Sequence, residues 1–539
     1  MAQFFTSTRY KKMFWIVFCL YIAFALLMIF RSSSVGIDGR RYFSLFDDGM
    51  ISMRYAQNVI DGKGLVWNFG ERVEGFTSPL LVSFMALAIK LFGKIYGVLA
   101  IQLLGALLLT ANIFFVLQIM DNLIEAKPLK DFLKFMAVLF LVTFYPLLYW
   151  SIMGMDTGLL TTLVLLASFI LVKEKSAQKI NIWLPIVLSL CYLTRPESIL
   201  FITAVYLFRL CKNLKRFPFL LSEILILLIP LTLYHIFRWH YYQQFYPNTY
   251  FLKATGLSLS QRIHDGFAFF YPFLTYIQLI VFWILAFFFF VLVRYRNTGK
   301  TSLRRILEGN KYHIFMFLAF FIVFSVYQIV IGGDAWPRYW RYTVPYTVLL
   351  FLAFLLAISE FKKMSPKEYF FQGVAILVFS FGLFFTCITY AADLLSLKPN
   401  QSEYNESHIN AALVILELTT SKATITSSFA GVTPYYTGRK AYDPLGKVDA
   451  YIAHLAPDTT GDLSWGGMTS VPGHNKYDLN YTFKTLRPDV IVPFGYLCHF
   501  GRQNLEDWCK NNYTAITYKG VELLLKKSSP HILWGKINL

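Results

Sequence analysis

The chain has 539 residues, 56% of them hydrophobic and 18% aromatic, with a mean hydropathy of +0.51 and only 15% charged residues. That composition excludes an ordinary soluble enzyme and describes a polytopic membrane protein. A formal net charge of +19 would suit nucleic acid, but the charge is not gathered into one patch: the last 149 residues hold 14 Lys+Arg against 13 Asp+Glu, and the first 390 hold 36 against 18, between apolar runs. Nucleic acid is therefore not expected as a partner, and membrane lipids are.

A transmembrane helix needs roughly 20 apolar residues. Eleven runs fit, near 13–30, 96–119, 134–150, 157–172, 182–194, 198–210, 218–237, 267–293, 313–331, 342–358 and 369–390. The first is read as a retained helix, because no small-residue cleavage site follows it. A twelfth apolar stretch, Leu80–Phe92, is read as interfacial. With the N-terminus cytoplasmic, the inner segments carry 21 Lys+Arg in 72 residues and the outer ones 12 in 98. That bias selects the orientation and places the near-neutral tail outside.

Between the first two spans lies the outer loop 31–78. Asp47 and Asp48 open an amphipathic helix expected over Gly49–Asp61, with Ile51, Tyr55 and Val59 on one stripe. Adjacent carboxylates at a helix N-terminus are stabilised by its unpaired N–H groups and dipole, so a capping role competes with that of a general base. Arg54, Tyr55, Trp67, Asn68 and Glu74 follow, and Trp67 to Thr77 is expected to form a substrate wall.

Further along the same face come Asp156, Arg195 with Glu197, Asn248, Lys253, and Asp334 with Arg338 and Arg341. Guanidinium groups suit a phosphate, though pairing with neighbouring acids to hold helix ends is the plain alternative. From residue 391 the composition becomes that of a globular protein. A helix is expected at Ile409–Glu417 and strands at Ala423–Ser427, Val490–Val492 and Val521–Leu525, in a C-terminal extracytoplasmic α/β domain over 391–539. Within it, His474 and Lys476 belong to a polar turn that also reads as plain surface. Cys498 and Cys509 would form a disulfide in an oxidising compartment. No Cys/His spacing resembles a zinc site and no phosphate-binding glycine loop is present. No cofactor is implied, and a divalent metal is left open.

The motif Asp47-Asp48-x-x-Ile51-x-x-Arg54-Tyr55-Ala56, followed by Gly62-x-Gly64-Leu65-Val66-x-Asn68-x-Gly70-Glu71-Arg72-Val73-Glu74-Gly75-Phe76-Thr77, resembles the GT-C superfamily of membrane glycosyltransferases. It is most similar to the branch of the terminal arabinofuranosyltransferase of mycobacterial cell-wall assembly and the pilin arabinosyltransferases. Gly154-Met155-Asp156-Thr157, Thr194-Arg195-Pro196-Glu197, Pro247-Asn248-Thr249-Tyr250-x-x-Lys253, Gly332-Gly333-Asp334 and Pro472-Gly473-His474-x-Lys476-Tyr477-Asp478 match in order. After Asp334 the chain departs from the family's Met/Phe-rich stretch.

The resemblance implies a mainly α polytopic protein with about eleven transmembrane helices in a GT-C domain over 1–390, in a bacterial inner membrane. It also implies transfer of a sugar, preferably an arabinofuranose-like pentose, from a polyprenyl-phosphate donor to a hydroxyl of a glycan, lipid or pilin. Asp47 or Asp48 would be the base. Arg195, Arg338, Arg341 and Lys253 would bind the donor phosphate, and Arg54, Tyr55, Trp67, Asn68, Glu74, Asp156, Glu197, Asn248, Asp334, His474 and Lys476 would contact substrate. A mannosyl-type transferase and a non-enzymatic transporter or scaffold of envelope assembly are the competing readings.

Overall fold

The computed structural model describes residues 4–125, 127–174, 180–212, 214, 217–274, 310–336, 339–360, 390–396, 398–460, 467–493 and 503–537. Helix α1, Thr8–Ser32, is 25 residues long, about 37 Å at 1.5 Å per residue; it is apolar from Met13 to Phe30 and leaves Ile16, Leu20 and Phe30 exposed, as a lipid-facing surface would. A short hairpin, β1 (Ser34–Val35) and β2 (Arg41–Tyr42), leads to α2, Asp47–Ile60. Both aspartates are indeed its first two residues. Its buried side is broader than one stripe, taking in Met50, Met53, Arg54 and Asn58 beside Ile51 and Tyr55, while Val59 is exposed.

Helix α3, Pro79–Leu123, runs 45 residues but breaks at Gly93, whose φ of 76° only glycine adopts without strain. The stretch Leu80–Phe92 is thus a separate arm ahead of the longer one. Helices α4 (Lys127–Thr143) and α5 (Tyr145–Ile152) form one bent pair, 52° apart, with Pro146 starting the second arm. Helix α6, Thr157–Lys173, packs along α3 and against α7, Trp183–Thr194. Arg195 is extended, Pro196–Ser198 make one 3₁₀ turn, and α8 (Ile199–Lys212) and α9 (Phe217–Tyr242) follow, then the short α10, Asn248–Ala254. Asn310–Val330 and Val344–Glu360 form a packed helical pair.

Among the described residues four helices are long and apolar enough to cross a membrane, five with the bent pair, so eleven spans are not reached. The difference has two sources: α6, α7 and Val344–Ser359 are apolar but shorter, and residues 275–293 and 369–389 lie outside the described residues.

Ser402–Leu418 is helical and precedes a five-stranded mixed sheet of order β4-β3-β5-β7-β6, built from β3 (Thr424–Thr426), β4 (Lys440–Tyr442), β5 (Val490–Ile491), β6 (Tyr513–Tyr518) and β7 (Val521–Lys526). Strands β3, β4 and β5 are parallel, while β7 runs antiparallel to β5 and β6. The sheet's two faces bury different cores. Val490 and Val492 join the large cluster that continues into the membrane helices, and Ile491 turns to a small cluster with Leu445, Leu479 and Phe483. The short helix Val432–Thr437 packs on α2, bringing the C-terminal region against the aspartates.

Candidate active site

The N-terminus of α2 meets the C-terminal region at backbone contact. Asp47 is buried, and its Oδ1 accepts the Gly431 N–H at 2.9 Å. A side chain at 431 would lie 2.3 Å from the Asp47 carbonyl oxygen, so glycine is required there. Asp48 turns the other way, with its side chain 27% exposed against 5% for Asp47, into a cavity of about 960 Å³.

Three cations converge on this pair. Arg341 donates from Nη1 to Asp48 Oδ2 at 3.0 Å and meets Asp334 through Nε and Nη2 at 2.7 and 3.0 Å. Lys253 stands 3.6 Å from Asp334. Lys447 lies 3.7 Å from Asp47 and 3.5 Å from Asp48. Burial and the neighbouring charge of Asp48 outweigh Lys447 and push the Asp47 carboxyl up to about 6. Burial acts against ionised Asp48 too, but there Lys447, Arg341 and Lys253 win and hold it well below the usual carboxylate range. Burial, then Lys447 and Lys253, press His474 down to about 3, which keeps it neutral beside the pair.

Arg195 forms a second, tighter group. Its Nη1 donates to Asp156 at 2.8 Å and its Nε to Glu197 at 2.5 Å, while its guanidinium lies over the Tyr342 ring, 4.2 Å from the centroid. All four of these side chains line the cavity. The plain alternative, pairing with nearby acids to hold helix ends, is thus the arrangement found for Arg195 and Glu197.

Of the residues singled out from the sequence, Asp48, Asp156, Arg195, Glu197, Lys253 and Arg341 line the cavity, and Asp47 and Asp334 sit directly behind it. Arg338 lies outside the described residues. Others work as internal ties. Arg54 donates to the carbonyls of Trp67, Pro434 and Arg439 and to Asn68, and stacks on Trp67. The Tyr55 hydroxyl bonds Val73 and Gly75 across the loop. Glu74 pairs with Arg238 and Tyr234. Asn248 and Lys476 each bond three oxygens of neighbouring segments. The expected wall from Trp67 to Thr77 reduces to Gly75–Ser78, because Trp67 and Asn68 are buried in the seam with the C-terminal region. Cys498 lies outside the described residues, and with it the expected disulfide to Cys509. Among the described residues no group of three His, Cys, Asp or Glu is placed to hold a metal ion.

Lys447 and Tyr342 were missed, and both line the cavity. The available signal for Lys447 was Asp443-Pro-Leu-Gly-Lys-Val-Asp449, a turn between two acids. Away from the charges the cavity wall is apolar, with Leu200, Leu228, Leu231, Ile236 and Trp239 from α8 and α9, of which Leu228, Ile236 and Trp239 are exposed.

No family model and no curated protein sequence matches the chain. Solved structures do. ArnT from Cupriavidus metallidurans bound to undecaprenyl phosphate superposes with a TM-score of 0.55 at 13% identity, over 96% of this chain and 98% of that one. The same protein in the apo state gives 0.56 at 12%, over 95% and 98%. The chain shares the fold of these ArnT structures. The long apolar helices suit a membrane, and at this identity the likeness speaks of architecture alone.

Proposed function

We propose that this protein is a membrane glycosyltransferase that moves a sugar from a polyprenyl-phosphate carrier to an acceptor hydroxyl, with Asp48 as the general base. The observation that carries this reading is the cavity of about 960 Å³, charged at one end around Asp48 and apolar along α8 and α9. Such a cavity suits a ligand with an anionic head and a hydrocarbon tail, the chemistry of the undecaprenyl phosphate bound to ArnT. The tail would lie against Leu228, Ile236 and Trp239 and leave through the exposed side of α9. The phosphate would take Lys253 and Arg341, which both pair with Asp334 behind Asp48. Arg195, with two carboxylates at close range, instead fixes the junction of α7 and α8.

In the transfer, the acceptor oxygen forms its bond to the anomeric carbon as the bond from that carbon to the phosphate oxygen breaks. The electron pair leaves with the lipid phosphate, whose charge rises, and the hydroxyl proton passes to Asp48. Fixed cations around the departing oxygen favour the transition state more than the ground state. The pentose, the branch with arabinofuranose, and a glycan, lipid or pilin as acceptor rest on the sequence resemblance. The Lys/Arg bias of the segments between the apolar runs supports the C-terminal segment as an extracytoplasmic domain.

The test is sugar transfer in proteoliposomes from a polyprenyl-phosphate-linked arabinofuranose. Asp48→Asn should lose about 100-fold or more, the scale of a general base, and Asp47→Asn less than about 10-fold, since Asn retains the acceptor for Gly431. Unchanged transfer by Asp48→Asn would reject the assignment.

A further inference from the structure

We propose that Lys447 is a substrate-contacting cation that binds the donor's phosphate from the C-terminal side, and that Asn248 is the residue that positions it. The inference rests on the lipid-phosphate reading above and adds to it a residue from outside the membrane helices.

The loop that presents Lys447 is built for fixed placement. The Asp443 carboxylate accepts the N–H groups of Leu445 and Val448, each at 3.0 Å, closing the turn from inside. The Asn248 side-chain amide donates to the carbonyls of Gly446, Lys447 and Asp449 at 2.8, 3.1 and 3.3 Å. Asn248 is itself buried at the start of α10, and its own N–H donates to the Glu74 carbonyl at 2.8 Å. Glu74 is ion-paired at 2.7 Å with Arg238 of α9, a wall of the cavity. A chain of contacts thus ties the Lys447 backbone to the same helix that bounds the apolar groove.

The ammonium lies at the charged end of the cavity, at 3.5 and 3.7 Å from two carboxylates, longer than close ion pairs such as Arg195 with Asp156 at 2.8 Å. An anionic oxygen arriving between Lys253, Arg341 and Lys447 would be met from three segments distant in sequence. A singly charged phosphodiester becomes a more highly charged monoester as the glycosidic bond breaks, so a third cation gains strength as the reaction proceeds. The same contact draws Lys447 away from Asp48. The groups facing Asp48 are Asp47, Asp334, Arg341, Lys253, Lys447 and His474, and Lys447 is the strongest of the cations that hold its carboxyl down. Sharing that cation with phosphate makes Asp48 a better base only once the donor is bound.

The experiment uses the full-length protein in nanodiscs, with undecaprenyl phosphate and the neutral undecaprenol as probes. Wild type should prefer the phosphate. Lys447→Ala should weaken the phosphate by about 10-fold or more, the worth of one charge-assisted contact, with undecaprenol unchanged, and Lys447→Arg should recover most of it. Asn248→Ala should act in the same direction, and Lys447→Ala with Asn248→Ala should be no weaker than Lys447→Ala alone, because the two share one effect. Lys447→Gln should also shift the acid limb of the transfer rate to higher pH. If wild type separates the two probes and Lys447→Ala separates them equally well, the Lys447 assignment falls and the lipid-phosphate reading stands. If wild type does not separate them, that reading falls and takes this inference with it.

Discussion

Two arginine–carboxylate groups border the same cavity, and they are built from different distances along the chain. Arg195, Asp156 and Glu197 come from two neighbouring helix junctions and leave two nitrogens of one guanidinium bonded to carboxylates at 2.5 and 2.8 Å. Asp48, Arg341, Asp334, Lys253 and Lys447 come from four segments spanning 400 residues, with contacts of 2.7 to 3.6 Å. The ring of Tyr342 stands between them, 4.2 Å from one guanidinium and 5.3 Å from the other. A closed pair of this kind holds backbone, whereas a looser network of several cations can exchange partners with an arriving anion. The two groups are therefore expected to fail differently when cut.

The sharpest cut is Arg341→Ala, which leaves Asp48 and Asp334 without their shared partner. Transfer should fall by about 100-fold or more, as for loss of a preorganised transition-state contact, while Arg341→Lys recovers part of it. Arg195→Ala should separate the two groups: it strands the buried Asp156 carboxylate and the largely covered Glu197, and should cost about 3 to 5 kcal/mol of stability, seen as a lower melting temperature. Its affinity for undecaprenyl phosphate, measured below that temperature, should stay within about 3-fold of wild type, as expected when the lost contacts are internal. A large loss of affinity there would erase the distinction drawn between the groups.

Asp47 provides a smaller, pH-dependent test. Its carboxyl is raised to about 6, above the usual carboxylate value, so the folded chain takes up this proton before the unfolded chain does. Stability from this group therefore rises as pH falls from about 7 towards 4, and Asp47→Asn removes that rise. The melting temperature of Asp47→Asn relative to wild type should drop steadily over that window, and a constant difference would rule out the shift. The least effect is expected from Lys253→Gln, whose side chain is 25% exposed: kcat/KM for the donor should fall a few-fold, through kcat as well as KM.

The helices and the acidic pair were legible because their signals are local. Apolar runs of the right length announced α1, α3 and α9, and two acids before a periodic stretch announced the start of α2. What the sequence hid was contact between distant segments. Nothing local says that Trp67 and Asn68 face a seam with Arg54, Pro434 and Ala441 rather than substrate. Nothing local separates Asp47 from Asp48 either, since the choice is made by Gly431, far along the chain. Strand β6 was missed because its Thr-Ala-Ile-Thr core is weakly apolar and gains its place by pairing with β7. Among the described residues α6, α7 and Val344–Ser359 are shorter than a full crossing, because an apolar run in sequence measures burial between helices as well as membrane passage.

The contact between Gly431 and Asp47 also dates the birth of the site. A ribosome makes the carboxylates hundreds of residues before the glycine and lysine that complete their surroundings. While the later segment is still being synthesised, the membrane helices can fold and meet lipid, yet the charged end of the cavity has no C-terminal wall. The nascent chain thus acquires the finished charged end of the cavity only as its last quarter docks.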